Sequence, residues 1–234
     1  SKGLLYPPSH PLHDKEYVEI KQMTAKEEDI LTSTTLINKG IVLEHLIQSL
    51  LLDKNINVKT LFSGDKNAIV LNARIHAYGP EYKVSSFCTE CSANSELIFD
   101  LTEVKNKEIE YNDGYTTVEL PKTKFTTKVK YLTSHEETIL LKEVEKKVKM
   151  GFSDCAVTTL LKFIIVSVDG ISASENDVSH FIENMPAADA KHIKEHYEKT
   201  KPDVDLSFEA VCEACSHTER RAVPITAQFF WPNS

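Results

Sequence analysis

Two cysteine pairs, Cys88-Thr89-Glu90-Cys91 and Cys212-Glu213-Ala214-Cys215, constrain this 234-residue chain more than any other feature. A spacing of two lets both sulfurs of a pair take adjacent corners of a tetrahedron around a metal, with Zn–S near about 2.3 Å. In each pair a tight turn can start whose backbone amides point at the first thiolate. Strand-like segments flank both pairs: residues 84–87 and 97–99 around the first, 208–211 and 222–225 around the second. This is the two-knuckle layout of a zinc ribbon. About 120 residues separate the pairs, against roughly 15–20 in compact ribbons. An inserted domain whose ends lie close together permits that distance. A redox C-x-x-C usually opens a helix, whereas these sit between strands. One zinc per chain is therefore expected, held by Cys88, Cys91, Cys212 and Cys215. Four thiolates leave no open position for water or substrate, so the metal should be structural. His217, two residues beyond Cys215, reads as a polar turn residue, with a substitute or outer-sphere donor as the alternative. Cys155 lies on an apolar helix face and reads as a core thiol.

The chain carries 27 basic and 35 acidic side chains, a net charge of −8, which disfavours phosphate backbones. The lysine-rich stretch 142–149 is interleaved with Glu143 and Glu145 and reads as the solvated face of a helix. No apolar stretch approaches the roughly 18–20 residues needed to cross a bilayer. The first residues do not form a signal peptide. A reducing cytoplasm follows as the expected place of synthesis, where paired cysteines usually mean metal rather than disulfide.

Along the chain, residues 17–20 alternate with a strand period, and Thr24-Ala25-Lys26-Glu27 is a capping box opening a helix to about Ser33. Further helices are expected over 41–52 and 66–78, the latter stopped by Gly79-Pro80. Residues 81–129 turn to strands, with a hairpin of 116–120 and 125–129 joined through Pro121-Lys122. Four helices follow: one capped by Ser134 with Glu137, one capped by Ser153 and running to Val168, one capped by Ser174 with Asp177, and one with Pro186 in its first turn. Strand texture then returns. The fold class is α+β, mostly helical, with a small β zinc-ribbon-like module closed by the two knuckles. Its parts are an N-terminal helical region (1–80), a β-segment with the first knuckle (81–130), a helical insertion (131–201), and a β-segment with the second knuckle and an aromatic tail (202–234).

Nothing asks for catalysis: there is no Gly-rich phosphate loop, no H-E-x-x-H and no G-x-S-x-G. The nine histidines are scattered, and His192 with His196, four residues apart, read as an exposed helix face. The protein is expected not to be an enzyme. A zinc-ribbon adaptor for nucleic acid or the transcription machinery is the competing class. It would place basic or aromatic residues on the ribbon. Only Arg220 and Arg221 fit, against Glu90, Glu96, Glu213 and Glu219.

Several segments are more specific than the cysteines. Lys26-Glu27-Glu28-Asp29-Ile30-Leu31, Gly64-Asp65-Lys66-Asn67-Ala68-Ile69 and Ala77-Tyr78-Gly79-Pro80-Glu81-Tyr82 resemble the front half of T-even-like bacteriophage baseplate proteins. The cysteine pairs, Asp189-Ala190-Lys191, Pro202-Asp203-Val204-Asp205-Leu206, Val223-Pro224-Ile225-Thr226 and Phe229-Phe230-Trp231-Pro232 are similar to the back half. The resemblance runs over about 24–232. It implies a virion protein of the contractile-tail baseplate, either a hub subunit or a hub assembly factor, made in the host cytoplasm. Its partners would be other baseplate subunits, with no direct nucleic acid contact. The aromatic tail has two readings: it closes the local core, or Phe229, Phe230 and Trp231 are partner-binding candidates, because on a strand neighbouring side chains alternate faces and one face of the aromatic run would point outward.

Overall fold

Helix starts fall where short polar side chains take up orphan amides. The computed structural model describes residues 1–107, 114–151, 155–172 and 174–231. The Thr24–Glu27 capping box opens α1 (Ala25–Leu31). Ser33 holds the N-cap position of a short α2 (Thr34–Asn38), without a side-chain capping bond, where no helix is expected from the sequence. After α3 (Val42–Leu50), α4 (Ser63–Tyr78) ends at Gly79, whose φ of 85° only glycine adopts cheaply. The first knuckle lies in the hairpin β1 (Glu81–Phe87) and β2 (Asn94–Asp100), followed by β3 (Lys105–Asn106). The expected hairpin forms as β4 (Tyr115–Glu119) and β5 (Thr126–Lys130). Next come α5 (Ser134–Lys149), α6 (Ala156–Ile164), β6 (Ile165–Val168), β7 (Ile171–Ser172), α7 (Glu175–Glu183) and α8 (Ala187–Thr200). The chain closes with β8 (Val204–Asp205), β9 (Ser207–Val211), β10 (Thr218–Ala222) and a 3₁₀ turn at Ala227–Phe230. The class is α+β, with small antiparallel sheets.

Several expectations are corrected. Ser134 with Glu137 is not the cap of α5; Thr133 with Glu136 is. Both pairs fit the motif, but the Ser134 amide donates to the Leu61 carbonyl at 2.7 Å and Glu137 accepts from the Ser63 hydroxyl. The apolar run to Val168 is helical only to Ile164. Its β-branched end pairs with β5 instead, where Asp169 exchanges bonds with Thr126 through its amide and its carboxylate, each at 2.7 Å. Pro186 precedes α8 as its N-cap rather than entering the first turn. Residues 17–20 form no strand: only Ile20 bridges, to Leu51. The strand after the second knuckle is β10, ahead of residues 223–225. Cys155 is half-exposed at the N-cap of α6 rather than buried. His196 is half-buried and bonded to the Thr116 hydroxyl at 2.9 Å, while His192 is exposed. The proposed Ser153 cap lies outside the described residues.

The aromatic tail is not a strand either. A 3₁₀ turn advances about three residues per turn, so neighbours diverge by less than on a strand. Phe229 and Phe230 consequently both turn inward, with 1% and 2% of their surface exposed. Phe229 meets Tyr82 at a centroid distance of 5.2 Å, and Phe230 and Trp231 meet Tyr78 edge-on at 6.3 and 6.4 Å.

The chain divides into two compact units. The first comprises Ser1–Val18, Lys59–Gly64 and Glu108–Pro202. It holds the four-stranded antiparallel sheet β4-β5-β6-β7 with α5 to α8. Buried Asp189, in the first turn of α8, accepts the amides of Lys122 and Thr123 at 2.7 and 3.0 Å and fixes the β4–β5 turn. The second unit comprises Glu19–Val58, Asp65–Lys107 and Asp203–Ser234. Both knuckle segments belong to it, and β3 pairs with β8 across the long sequence interval between them.

Within the second unit, buried Glu27 accepts bonds from Lys21 (2.7 Å), Ser49 (2.6 Å) and both the amide and hydroxyl of Thr24 (3.0 and 2.7 Å). Burial opposes its charge, but Lys21, Ser49 and Thr24 together hold its carboxyl down to about 2, against an ordinary 4.5. The folded state therefore binds fewer protons, and the stabilisation is present above the ordinary value and lost as pH falls toward about 2. The wild-type protein should lose about 2–3 kcal/mol from this group between about pH 5 and pH 2. Glu27→Gln should be less stable at neutral pH and show a flatter dependence there, measured as urea midpoints across pH.

Candidate metal centre

Each knuckle is built by a strand that delivers a cysteine into a turn. Cys88 follows β1 and Cys212 follows β9, and in each hairpin the same pair of backbone bonds closes the turn. The Cys88 amide donates to the Ala93 carbonyl at 2.9 Å, and the Ser92 amide returns to the Cys88 carbonyl at 3.0 Å. In the second knuckle the Cys212 amide donates to His217 at 2.9 Å, and Ser216 to Cys212 at 2.9 Å. Ser92 and Ser216, each directly after its second cysteine, share a left-handed φ of 57°. A non-glycine residue adopts that conformation at a cost of about 1 kcal/mol, so its repetition marks a turn fixed by its surroundings. The two knuckles are copies of one another.

The copies face each other. Cys88 Sγ lies 3.6 Å from Cys215 Sγ, and Cys91 Sγ 3.6 Å from Cys212 Sγ. All four sulfurs lie within 4.8 Å of one another. A tetrahedron of sulfurs at about 2.3 Å from a central zinc has edges of about 3.8 Å, close to these separations. A disulfide would need about 2.05 Å, and all four cysteines are free. In each knuckle the first cysteine is buried and the second exposed. The sulfurs thus form one group, open to solvent on one side, that could hold a metal.

The electrostatics favour anionic sulfur. The amides of Cys215 and Ala214 aim at the Cys212 sulfur and hold its thiol down to about 6. Cys215 receives the amide of His217, which favours its thiolate, yet its close sulfur neighbours Cys91, Cys212 and Cys88 push it up to about 12. Cys212 and Cys215 therefore titrate as a pair rather than singly. His217 contributes through its backbone, not as a fifth side chain of the cluster.

Around the sulfurs, side chains tie the hairpins together. Phe99 of β2 stacks on Phe208 of β9 at 4.3 Å with an interplanar angle of 18°. Thr89, inside the first knuckle, donates to Glu219 of β10 at 3.3 Å. Arg221 donates to the Phe87 carbonyl and to Glu219. Arg220 bonds Asp205 and Ser207 at 2.8 and 2.7 Å. The sequence reading noticed the two arginines only as candidate phosphate contacts. The spacing of Arg221 two residues after Glu219 on one strand is the available signal for an internal clamp, because side chains two apart share a face. Of the remaining sequence candidates, Phe229 and Phe230 belong to the core of this unit, and Trp231 is half-buried.

A search of curated proteins and of solved structures found no match. A family model described as T4 bacteriophage base plate protein matches residues 9–231, nearly the whole chain and including both knuckles. The chain belongs to the T4 bacteriophage base plate protein family.

Proposed function

We propose that the protein is a structural or assembly component of the hub region of a contractile-tail baseplate, clipped into shape by one zinc ion on Cys88, Cys91, Cys212 and Cys215. Family membership supports a structural baseplate role through contacts with other baseplate proteins in the virion tail. Among the described residues no helix is long and apolar enough to cross a membrane. The zinc reading rests on one observation: four sulfurs from two copied turns lie within 4.8 Å of one another, two pairs of them at 3.6 Å. Saturated by four thiolates, such an ion supplies folding free energy rather than a reactive water.

On this reading the helical stretch 131–201 is an insertion between the two halves of the knuckle module. The metal closes the base of that insertion, as a disulfide closes a loop. The function would be non-enzymatic, with synthesis in the host cytoplasm. A nucleic-acid adaptor gains little support, because Arg220 and Arg221 already serve carboxylates and a carbonyl of their own unit.

Three measurements test the proposal. Protein prepared without chelator should carry about one zinc per chain by elemental analysis, with an X-ray absorption shell of four sulfurs near about 2.3 Å. Acidification should release it, because protons compete for the thiolates. Metal-free protein that is fully folded would overturn the zinc reading.

Cys212→Ser should lower the melting temperature and the solubility. The loss should fall below the ~10 kcal/mol typical of zinc peptides, since helices of the first unit pack on their own sheet. About 2–4 kcal/mol is expected, the scale of a broken crosslink. An unchanged melting temperature would make the cluster peripheral.

For the aromatic tail, the proposed partner contact falls to Trp231. Phe230→Ala should cost about 3–5 kcal/mol as a core deletion. Trp231→Ala should lower the melting temperature less than Phe230→Ala yet be depleted more strongly from baseplates purified from infected cells, as expected of an aromatic hot spot. Full incorporation of a stable Trp231→Ala protein would remove the tail from the interface.

A further inference from the structure

On a helix of 3.6 residues per turn, the outer arc of α5 sorts into three parallel rows. Its inner side meets α6, where Lys147, paired with Glu143 at 2.8 Å, also bonds Thr159 at 3.0 Å. Outermost runs a ridge of Lys142, Lys146 and Lys149, spaced four and three residues apart and all exposed, with exposed Glu145 beside it on the side of Leu141 and Val148. Among the described residues none of these three ammonium groups has an ion-pair partner. On one flank of the ridge, Leu141 and Val148 stand two turns apart, with 63% and 53% of their surface exposed. On the other flank, Ile139 and Met150 stand three turns apart, 41% and 63% exposed.

This pattern is costly to leave in water. Lysines at these spacings repel one another, and four large apolar side chains gather on one short stretch of helix. The stretch Lys142–Lys149 holds four lysines and two glutamates in a chain whose net charge is −8. A face that is only solvated has no need of four exposed apolar side chains beside a ridge with three lysines to one glutamate.

We propose that α5 inserts into a groove of another baseplate protein, one with apolar walls and a row of carboxylates along its floor. Each feature finds its complement there. The rails bury against the walls, the lysine stems pack alongside them, and the ammonium groups meet carboxylates out of water. Charge complementarity selects the occupant: an acidic groove attracts this ridge, whereas a second α5 would repel it. The inference rests on the baseplate role proposed above and adds the docking element and the chemistry of its partner.

The test uses the full-length protein expressed during infection of a host by phage lacking the wild-type gene, with purified baseplates as the readout. Two variants probe the rows separately: Lys142→Glu with Lys146→Glu, and Leu141→Ser with Val148→Ser. Both should melt within a few degrees of wild type, since none of these residues is buried, and both should be depleted from baseplates at least tenfold. Lys142→Arg with Lys146→Arg should restore incorporation. A photo-crosslinking residue at Ile139 should label an acidic segment of a different baseplate protein. Wild-type incorporation with undiminished incorporation of both variants would overturn the inference alone. So would a crosslink confined to a second copy or to this chain's own other unit. Absence of the wild-type protein from baseplates and their assembly intermediates would overturn the baseplate role itself.

Discussion

Four sulfurs brought together from two hairpins, the sequence-distant Cys88–Cys91 and Cys212–Cys215, define what the second unit has to accomplish. Each hairpin alone is a two-stranded ribbon, and such ribbons are marginal in water without a third strand or a covering layer. Here each covers the other. The Phe99–Phe208 stack, the Thr89–Glu219 bond and the Arg221–Phe87 bond all run from one hairpin to its partner. The sulfurs converge because the turns are copies with one geometry, down to the left-handed serine after each pair. A metal would add folding free energy to an arrangement that backbone bonds and aromatic packing favour but do not complete.

This gives the long interval between the knuckles a physical meaning. Loop closure costs only grow slowly with length, roughly 0.6 kcal/mol per doubling, so about 120 intervening residues are no obstacle to pairing. The interval is also largely folded in its own right. Its four-stranded sheet, the Asp189 lock on the β4–β5 turn and the helices around it make up most of the first unit. The β3–β8 pairing joins the two ends of the interval next to the hairpins. Folding of the interval and closure of the ribbon can therefore support one another without either being strictly dependent.

Protein contact is where the surface chemistry points. The four sulfurs of the candidate cluster would by themselves fill the coordination shell of a tetrahedral metal, and the arginines beside it are occupied within the unit. The aromatic tail turned out to be largely internal, with Phe229 and Phe230 completing the core beside Tyr82 and Tyr78. What stands exposed is the lysine ridge of α5 with its apolar flanks. A member of a baseplate family needs such surfaces, since its working environment consists of other subunits.

The sequence by itself determined the features that depend on short-range chemistry. The C-x-x-C turns, the Thr24 and Ser174 caps, the Gly79 stop and the β4–β5 hairpin were all legible, because each is fixed by residues within a few positions of one another. The convergence of the two knuckles was also legible, since two C-x-x-C pairs set between strands suit one shared tetrahedral site. Choices between locally equivalent options were left to the tertiary structure. Thr133 rather than Ser134 caps α5 because the Ser134 amide is claimed by Leu61, from a distant segment. Residues 165–168 extend as a strand because β5 offers a free edge to an apolar run that could have stayed helical. The tail coils into a 3₁₀ turn because Tyr82 and Tyr78 offer room for two neighbouring phenylalanines, which a strand would have sent to opposite sides. In each case the deciding partner lies far away along the chain, and local periodicity carries no information about it.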